Sequence, residues 1–298
     1  MGNEEITTTT TTVAIPPIAD KYSEVISLLK NPSTTNITFL TGAGISTSAG
    51  IPDFRSTTGI FSQVQSKYNL KSPISLFHLT TFYKHPEQFY DFCKVFTTAT
   101  SSCKPTTTHL FMGFLCKKNK VLRIFTQNVD ALELQAGVPR DKVVFAHGNI
   151  TEAHCPKCNA DIDVNAMKTA IMNETVLYCP NCNDVPCKPK VVFYGEQLPE
   201  QFNDMYDNIY KTDLAFVIGT SLHVYPFSSL VYDVPLTSWR VLINKEKVGN
   251  ILHKNAFQFS DACRRDIFIP GYSDEVITQL IKDCGWEDEF NEYISAYI

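Results

Sequence analysis

No stretch of this chain reaches the roughly 20 consecutive apolar residues of a membrane span. Its first residues, MGNEEITTTTTT, lack the basic region and apolar core of a secretory signal. A myristoylation pattern is missing too, because Ile6 stands where Ser or Thr is required after Gly2. Secretion and membrane residence are therefore not expected. Positive charge is in deficit: Lys plus Arg is 26 against 31 for Asp plus Glu, a formal net charge of −5. Gripping nucleic acid by its phosphates needs clustered positive charge. No basic run here is longer than pairs such as Lys117-Lys118 and Arg264-Arg265, so direct nucleic-acid binding is not expected. There is no internal repeat.

The chain has 298 residues, 44% of them hydrophobic and 19% charged, enough to bury a sizeable core. Its length allows two domains or one large domain with an insert. Residues 1–17, with six consecutive threonines and Pro16-Pro17, have no periodic apolar face and read as a disordered leader. Ile18, Tyr22, Val25, Ile26 and Leu29 recur at helical spacing. Short apolar runs of strand length follow: Ile37–Leu40, Val121–Phe125, Val143–Phe145, Val191–Phe193, Leu214–Ile218, Val241–Ile243 and Ile267–Ile269. Strands hydrophobic at consecutive positions are covered on both faces, which points to a parallel sheet in an α/β domain. Near the end, Ser273 reads as the N-cap and Gly285 as the terminator of a helix whose apolar face includes Val276, Ile277, Leu280 and Ile281. Residues 56–110, with aromatic-rich helical segments, and 149–190 break the alternation and read as insertions.

Ten cysteines are present, and four form two tight pairs, Cys155-Pro-Lys-Cys158 and Cys179-Pro-Asn-Cys182. Two such knuckles are the ligand set of one tetrahedral Zn²⁺. Four thiolates leave no open position, so the metal is expected to be structural. Cys187 is read as a bystander, and His154 as a neighbour rather than a ligand. The other cysteines read as small buried hydrophobes.

Four further motifs could carry chemistry. Gly42-Ala43-Gly44-Ile45-Ser46 directly follows a strand, where backbone N–H groups can approach a pyrophosphate. It lacks the third glycine of the dinucleotide fingerprint, Thr47 standing there, and an ordinary glycine turn reads the same way. Gly50-Ile51-Pro52-Asp53-Phe54-Arg55 sets an acid and a base around an aromatic, although a salt-bridged surface loop has the same composition. Gln127-Asn128-Val129-Asp130 lies at a strand's carboxyl end, where open α/β sheets bind ligands; Asn128 could instead cap a helix. His147-Gly148 follows another strand, and histidine can act as a general base near neutrality.

Taken in order, these segments resemble the sirtuins, NAD-dependent protein lysine deacylases. Val192-Phe193-Tyr194-Gly195-Glu196, Gly219-Thr220-Ser221 and Asn244-Lys245-Glu246 continue the likeness, which runs from about residue 18 to 290. Val129 replaces the family's usual Ile and Tyr194 its usual Phe. The resemblance implies a Rossmann-like domain (18–55, 111–148 and 191–298) with an inserted small domain, made of a helical module (56–110) and a zinc module (149–190). It implies that Gly42, Ala43, Gly44, Ile45 and Ser46 hold the NAD phosphates with Phe54 and Arg55 nearby. Ile51, Asp53, Gln127, Asn128 and Asp130 would line the nicotinamide–ribose pocket. Gly219, Thr220 and Ser221 would contact phosphate, and Asn244, Lys245, Glu246 and Tyr272 the adenosine. Val192, Phe193, Gly195, Glu196 and Val224 would bind an acetylated peptide as an added strand. His147 and Asn128 would be catalytic, with His147 as general base on a ribose hydroxyl. Nicotinamide, O-acetyl-ADP-ribose and free lysine would be the products. Relatives that take succinyl or malonyl groups carry an arginine in the loop after Arg55. The sequence Ser56–Gln63 has none, so a neutral acyl group is expected. Mono-ADP-ribosyl transfer from the same pocket is the alternative activity. The compartment expected is a reducing one, cytoplasm or nucleus.

Overall fold

The computed structural model of the chain describes residues 18–51, 65–70, 72–249 and 252–297. The leader, Asp53, Phe54, Arg55 and the Ser56–Gln63 loop lie outside the described residues. The described strands are β1 (Ile37–Thr41), β2 (Val121–Thr126), β3 (Val143–Phe145), β4 (Gly148–His154), β5 (Asp161–Ile162), β6 (Lys188–Val191), β7 (Leu214–Ile218), β8 (Trp239–Asn244) and β9 (Asp266–Pro270).

Side chains alternate across a strand, and here both faces are dry. Ile37 and Phe39 of β1, Phe216 of β7 and Val241 and Ile243 of β8 point into one core. That core is shared with Phe111 and Phe114 of helix Thr107–Lys117, Ile277 and Leu280 of helix Ser273–Asp283, and Phe290 of helix Glu287–Ile294. Leu40, Val217 and Leu242 point the other way, against Phe202, Phe227 and Leu230. Double-sided burial is why these strands are apolar at consecutive positions. They form one parallel sheet in the order β3-β2-β1-β7-β8-β9. The chain winds outward from β1 to β3 and then returns to the far side of β1 with β7. The reversal leaves a crevice at the carboxyl ends of β1 and β7, the place where doubly wound sheets bind ligands.

A second, antiparallel sheet has the order β5-β4-β6. It shares a separate core with helices Leu79–Lys84, Pro86–Thr100 and Val164–Met172, built on Phe82, Phe89, Phe92, Phe96, Met167, Ile171 and Phe193. Only two residues separate β3 from β4, so the chain steps from one sheet to the other across Ala146-His147.

Two local expectations are corrected. The run Val191–Phe193 is not a strand of the parallel sheet: only Val191 is in a strand, the end of β6 in the antiparallel sheet. Phe193 is apolar because its ring packs edge-on against Phe77, Phe82 and Phe89, with 4.7 Å between the Phe193 and Phe89 centroids. Ser273 is the first residue of its helix rather than the cap, which is Tyr272 and makes no side-chain cap bond. Asp274 turns its carboxylate instead onto Thr108, accepting from its N–H at 2.9 Å. Gly285 does terminate that helix, with φ of 68°. No helix among the described residues is long and apolar enough to cross a membrane.

Candidate active site

The crevice floor is set by close contact between the loops after β1 and β7. Gly42 N–H donates to the Ile218 carbonyl at 3.2 Å, and Gly44 N–H to the Gly219 carbonyl at 2.8 Å. A Cβ added at Gly44 would lie 2.6 Å from Gly219 Cα, and Gly219 has φ of 61°. Both positions need glycine, for space and for backbone conformation respectively. The missing third glycine has a structural reason. In the fingerprint it permits tight helix–strand packing, but here two short 3₁₀ turns, Ala43–Ile45 and Thr47–Ala49, follow β1, and Thr47 is exposed.

Residues after β2 face this loop. Asn128 is buried and does not cap a helix; the next one, Leu132–Gln135, is entered through Ala131. Its side-chain N–H donates to Ser46 Oγ at 3.1 Å, and Ser46 Oγ donates to Asp130 Oδ2 at 2.9 Å. Asp130 Oδ1 accepts the Leu132 N–H at 3.0 Å. One Asn128 amide hydrogen is thus spent inward on Ser46, which leaves the other and the carbonyl oxygen as the groups a ligand could meet. Gln127 Oε1 accepts from the Thr220 hydroxyl at 2.5 Å, joining the loops after β2 and β7.

His147 lies between the two sheets and lines the crevice. Its Nδ1 is 3.2 Å from the Gln127 carbonyl oxygen. A carbonyl only accepts, so Nδ1 carries the hydrogen and Nε2 keeps a lone pair. Burial pushes the imidazole below its ordinary pKa, opposed by the Gln127 carbonyl. The ring is thus held neutral, in the tautomer a general base needs.

The crevice has a volume of about 1370 Å³. Ala43, Gly44, Gln127, Asn128, Gly219, Thr220 and Ser221 line one side, and Val192, Phe193, Gly195, Glu196 and Val224 another. Asn244, Lys245, Glu246 and Tyr272 line the end beyond β8. Asn244 Nδ2 donates to the Thr220 carbonyl, and the Lys245 ammonium lies 4.5 Å from the Tyr272 ring centroid. Gly42, Ile45, Ser46, Ile51 and Asp130 lie beneath this surface: Ile45 and Ile51 are core side chains, and Ser46 and Asp130 are bonded to each other. Glu196 is also turned inward. Its Oε2 accepts from the buried Lys188 at 3.1 Å and from the Phe193 N–H at 2.6 Å. Sequence reasoning missed the apolar part of the crevice, where Phe89, Phe92, Phe96, Met167 and Ile171 are lining residues. The aromatic spacing in helix Pro86–Thr100 was visible, but it reads as core.

The four knuckle cysteines converge. One Sγ from each of Cys155, Cys158, Cys179 and Cys182 lies within 4.8 Å of the others. Cys155 and Cys182 are 3.9 Å apart, and Cys158 and Cys179 3.7 Å. A tetrahedron of thiolates at about 2.3 Å from zinc has edges of about 3.8 Å; a disulfide would need about 2.05 Å. The donor set therefore fits one structural Zn²⁺. The two knuckles share a turn, with Asn159 N–H donating to the Cys155 carbonyl and Asn183 N–H to that of Cys179, both asparagines at positive φ. Cys187 stays outside this cluster.

A profile of the Sir2 family matches residues 42–226. NAD-dependent deacetylase sir2A of Dictyostelium discoideum is 39% identical over 277 residues, which is 91% of this chain and 53% of the relative. NAD-dependent protein deacetylase hst2 of Schizosaccharomyces pombe is 37% identical over 277 residues, 92% of this chain and 80% of the relative. NAD-dependent protein deacetylase sirtuin-2 of Danio rerio is 37% identical over 271 residues, 87% of this chain and 70% of the relative. The chain thus spans about half the length of the first of these and most of the other two.

Proposed function

The chain belongs to the Sir2 family, and from that premise we propose that it is an NAD-dependent protein lysine deacetylase. The observation that carries this reading is the meeting, at the sheet's reversal point, of the Asn128–Ser46–Asp130 chain with a neutral His147 whose Nε2 is free to take a proton. When bound, NAD would supply the chemistry: its nicotinamide–ribose bond would break as the acyl-lysine carbonyl oxygen bonds to that ribose carbon, and water would then part free lysine from the acyl group left on the ribose.

The protein's share is positioning and proton transfer. The Gly42–Gly44 turn and Gly219 allow the diphosphate to approach backbone, and Asn244, Lys245, Glu246 and Tyr272 receive the adenosine. Asn128 orients the nicotinamide ribose through its carbonyl oxygen. His147 Nε2 removes a proton from a ribose hydroxyl and so activates it toward the acetyl carbonyl carbon. Asp53 and Arg55 belong to the same pocket on sequence grounds, with Phe54 beside them.

An acetylated peptide lies as an added strand between Val192–Glu196 and Ser221–Pro226. The N–H groups of Val192, Phe193, Tyr194 and Glu196 are already bonded within the protein. The peptide's hydrogen bonds to that side therefore go to carbonyl oxygens and to the Gly195 N–H. Val192, Phe193 and Val224 wall the acyl-lysine, an apolar lining that matches a neutral acyl group. The ten cysteines, all unpaired, and a thiolate zinc site favour a reducing compartment, cytosol or nucleus.

Incubation with NAD and a panel of acetyl-, succinyl- and longer acyl-lysine peptides, read by mass, tests the proposal. Acetyl loss coupled to nicotinamide release is expected; ADP-ribosylated protein without acetyl loss would overturn it. Burial favours neutral His147, so kcat/KM should fall only as pH drops below the ordinary histidine value of about 6.5; an acid limb centred above that value would contradict the burial that keeps the ring neutral. Gly44→Ala should lower kcat/KM for NAD by about a hundredfold, the scale of a misplacement of about 1 Å. A kcat for Gly44→Ala close to that of the wild type at saturating NAD would show that binding, not chemistry, was damaged.

A further inference from the structure

The wall that an acyl-lysine would face is held from behind by a buried cation that the mechanism does not use. Lys188, the first residue of β6, is 1% exposed and lies behind Val191, Phe193 and Glu196, which line the crevice. Its Nζ donates to the Val191 carbonyl at 2.7 Å and to Glu196 Oε2 at 3.1 Å. It also lies 4.3 Å from the centroid of the Phe193 ring, within cation–π range. Burial pulls the ammonium below its ordinary pKa, and the Glu196 carboxylate leads the groups that oppose the shift.

These contacts converge on one short segment. The peptide unit that joins Val191 to Val192 is gripped on both sides: its carbonyl accepts from Lys188, and its N–H donates to the His147 carbonyl at 2.9 Å. Just beyond, the Phe193–Glu196 turn is closed by the Glu196 N–H on the Phe193 carbonyl at 3.0 Å, with Gly195 at φ of 91°. The Glu196 carboxylate closes it a second time, accepting the Phe193 N–H at 2.6 Å. Lys188 thus touches both ends of the segment that carries Val192 and Phe193, and the ring in its middle. An apolar side chain would fill this place more cheaply, because a buried ammonium must be desolvated. What the ammonium adds is direction, since its bonds fix particular atoms.

We propose that Lys188 is a positioning residue for the acyl-lysine wall, acting through Val191, Phe193 and Glu196. It sets where Val192 and the Phe193 ring stand relative to His147, and so how an acyl-lysine is placed against the base. It also turns the Glu196 charge inward, so that the wall offers a neutral acyl group no free anion. The inference rests on the deacetylase reading for its consequence, but the placement of the segment can be measured without it.

Lys188→Met, which keeps a long side chain and removes the charge, is compared with the wild type. The KM for an acetyl-lysine peptide should rise about tenfold or more, the effect of one lost hydrogen bond to a charged group. NAD affinity by calorimetry should be unchanged, because none of the Lys188 contacts involves the glycine turn or the adenosine end. A merely structural lysine would lower the melting temperature and the active fraction and leave peptide KM alone. Lys188→Met/Glu196→Gln leaves neither charge of the pair behind, so it carries the same test if Lys188→Met does not fold. Its peptide KM should match that of Lys188→Met, since the pair acts as a unit. Hydrogen exchange needs no turnover: the Val192 and Phe193 amides should exchange about tenfold faster in either variant, while β7 keeps its protection. Unchanged peptide KM in an active enzyme, or a matching loss of NAD affinity, would overturn the proposal. If the wild type deacetylates nothing, exchange decides. Unchanged exchange at Val192 and Phe193 would then overturn the proposal, and faster exchange there would uphold it and strike the functional reading alone.

Discussion

Replacing His147 with alanine should lower kcat/KM for an acetyl-lysine peptide by about two to four orders of magnitude, the range of a positioned general base. NAD binding should survive, because the ring's polar contact in the structure is with the Gln127 carbonyl and not with the glycine turn. The fold should survive too. The ring is half-buried and lies 6.4 Å from Phe227, so its loss removes modest packing, about 1 kcal/mol. Calorimetry of NAD binding and a melting curve, run beside the peptide assay, separate the cases. Loss of binding and melting temperature together would make His147 a structural histidine. Loss of turnover alone supports its role as base.

Removing one zinc ligand should have the largest effect on stability. In Cys179→Ser the metal content should fall from about one per chain toward zero, and the melting temperature by roughly 10 °C. Losing a metal site is among the few single changes that exceed about 4 kcal/mol, and each kcal/mol is worth about 2–4 °C at this size. The reason is local. β5 has two residues, and the loops that carry the knuckles are closed by the cysteines and by turn bonds such as Cys179 N–H to the Val185 carbonyl. The core beneath them includes Met167, Ile171 and Phe193, so its loosening should reach the crevice and abolish activity. Metal analysis, melting and the peptide assay on one preparation test this. Full activity with the metal stripped would contradict a structural zinc.

Local patterns made the frame legible. Double-sided apolar runs announced the parallel strands, and the two cysteine spacings announced a tetrahedral site whose sulfurs do converge. The motifs after β1, β2, β3 and β7 could be assigned to one crevice because strand ends of a doubly wound sheet meet there. Where the sequence misled, a tertiary cause is visible. Val191–Phe193 looks like a core strand because a ring cluster, not a sheet, makes it apolar. Ser46 and Asp130 bond to each other across 84 residues of sequence, a contact that no local pattern announces. Asp53, Phe54 and Arg55 lie outside the described residues, so their part remains a sequence inference.

The crossing between the two sheets has a mechanical consequence. The chain enters the small sheet across Ala146-His147 and leaves it after Val191, and the Val192 N–H is bonded to the His147 carbonyl at 2.9 Å. The proposed base and the first residue of the proposed acyl-lysine wall are therefore stapled together where the chain crosses between the sheets. Any shift of the small sheet against the large one should therefore carry His147 and Val192 together, because that bond ties them at the crossing.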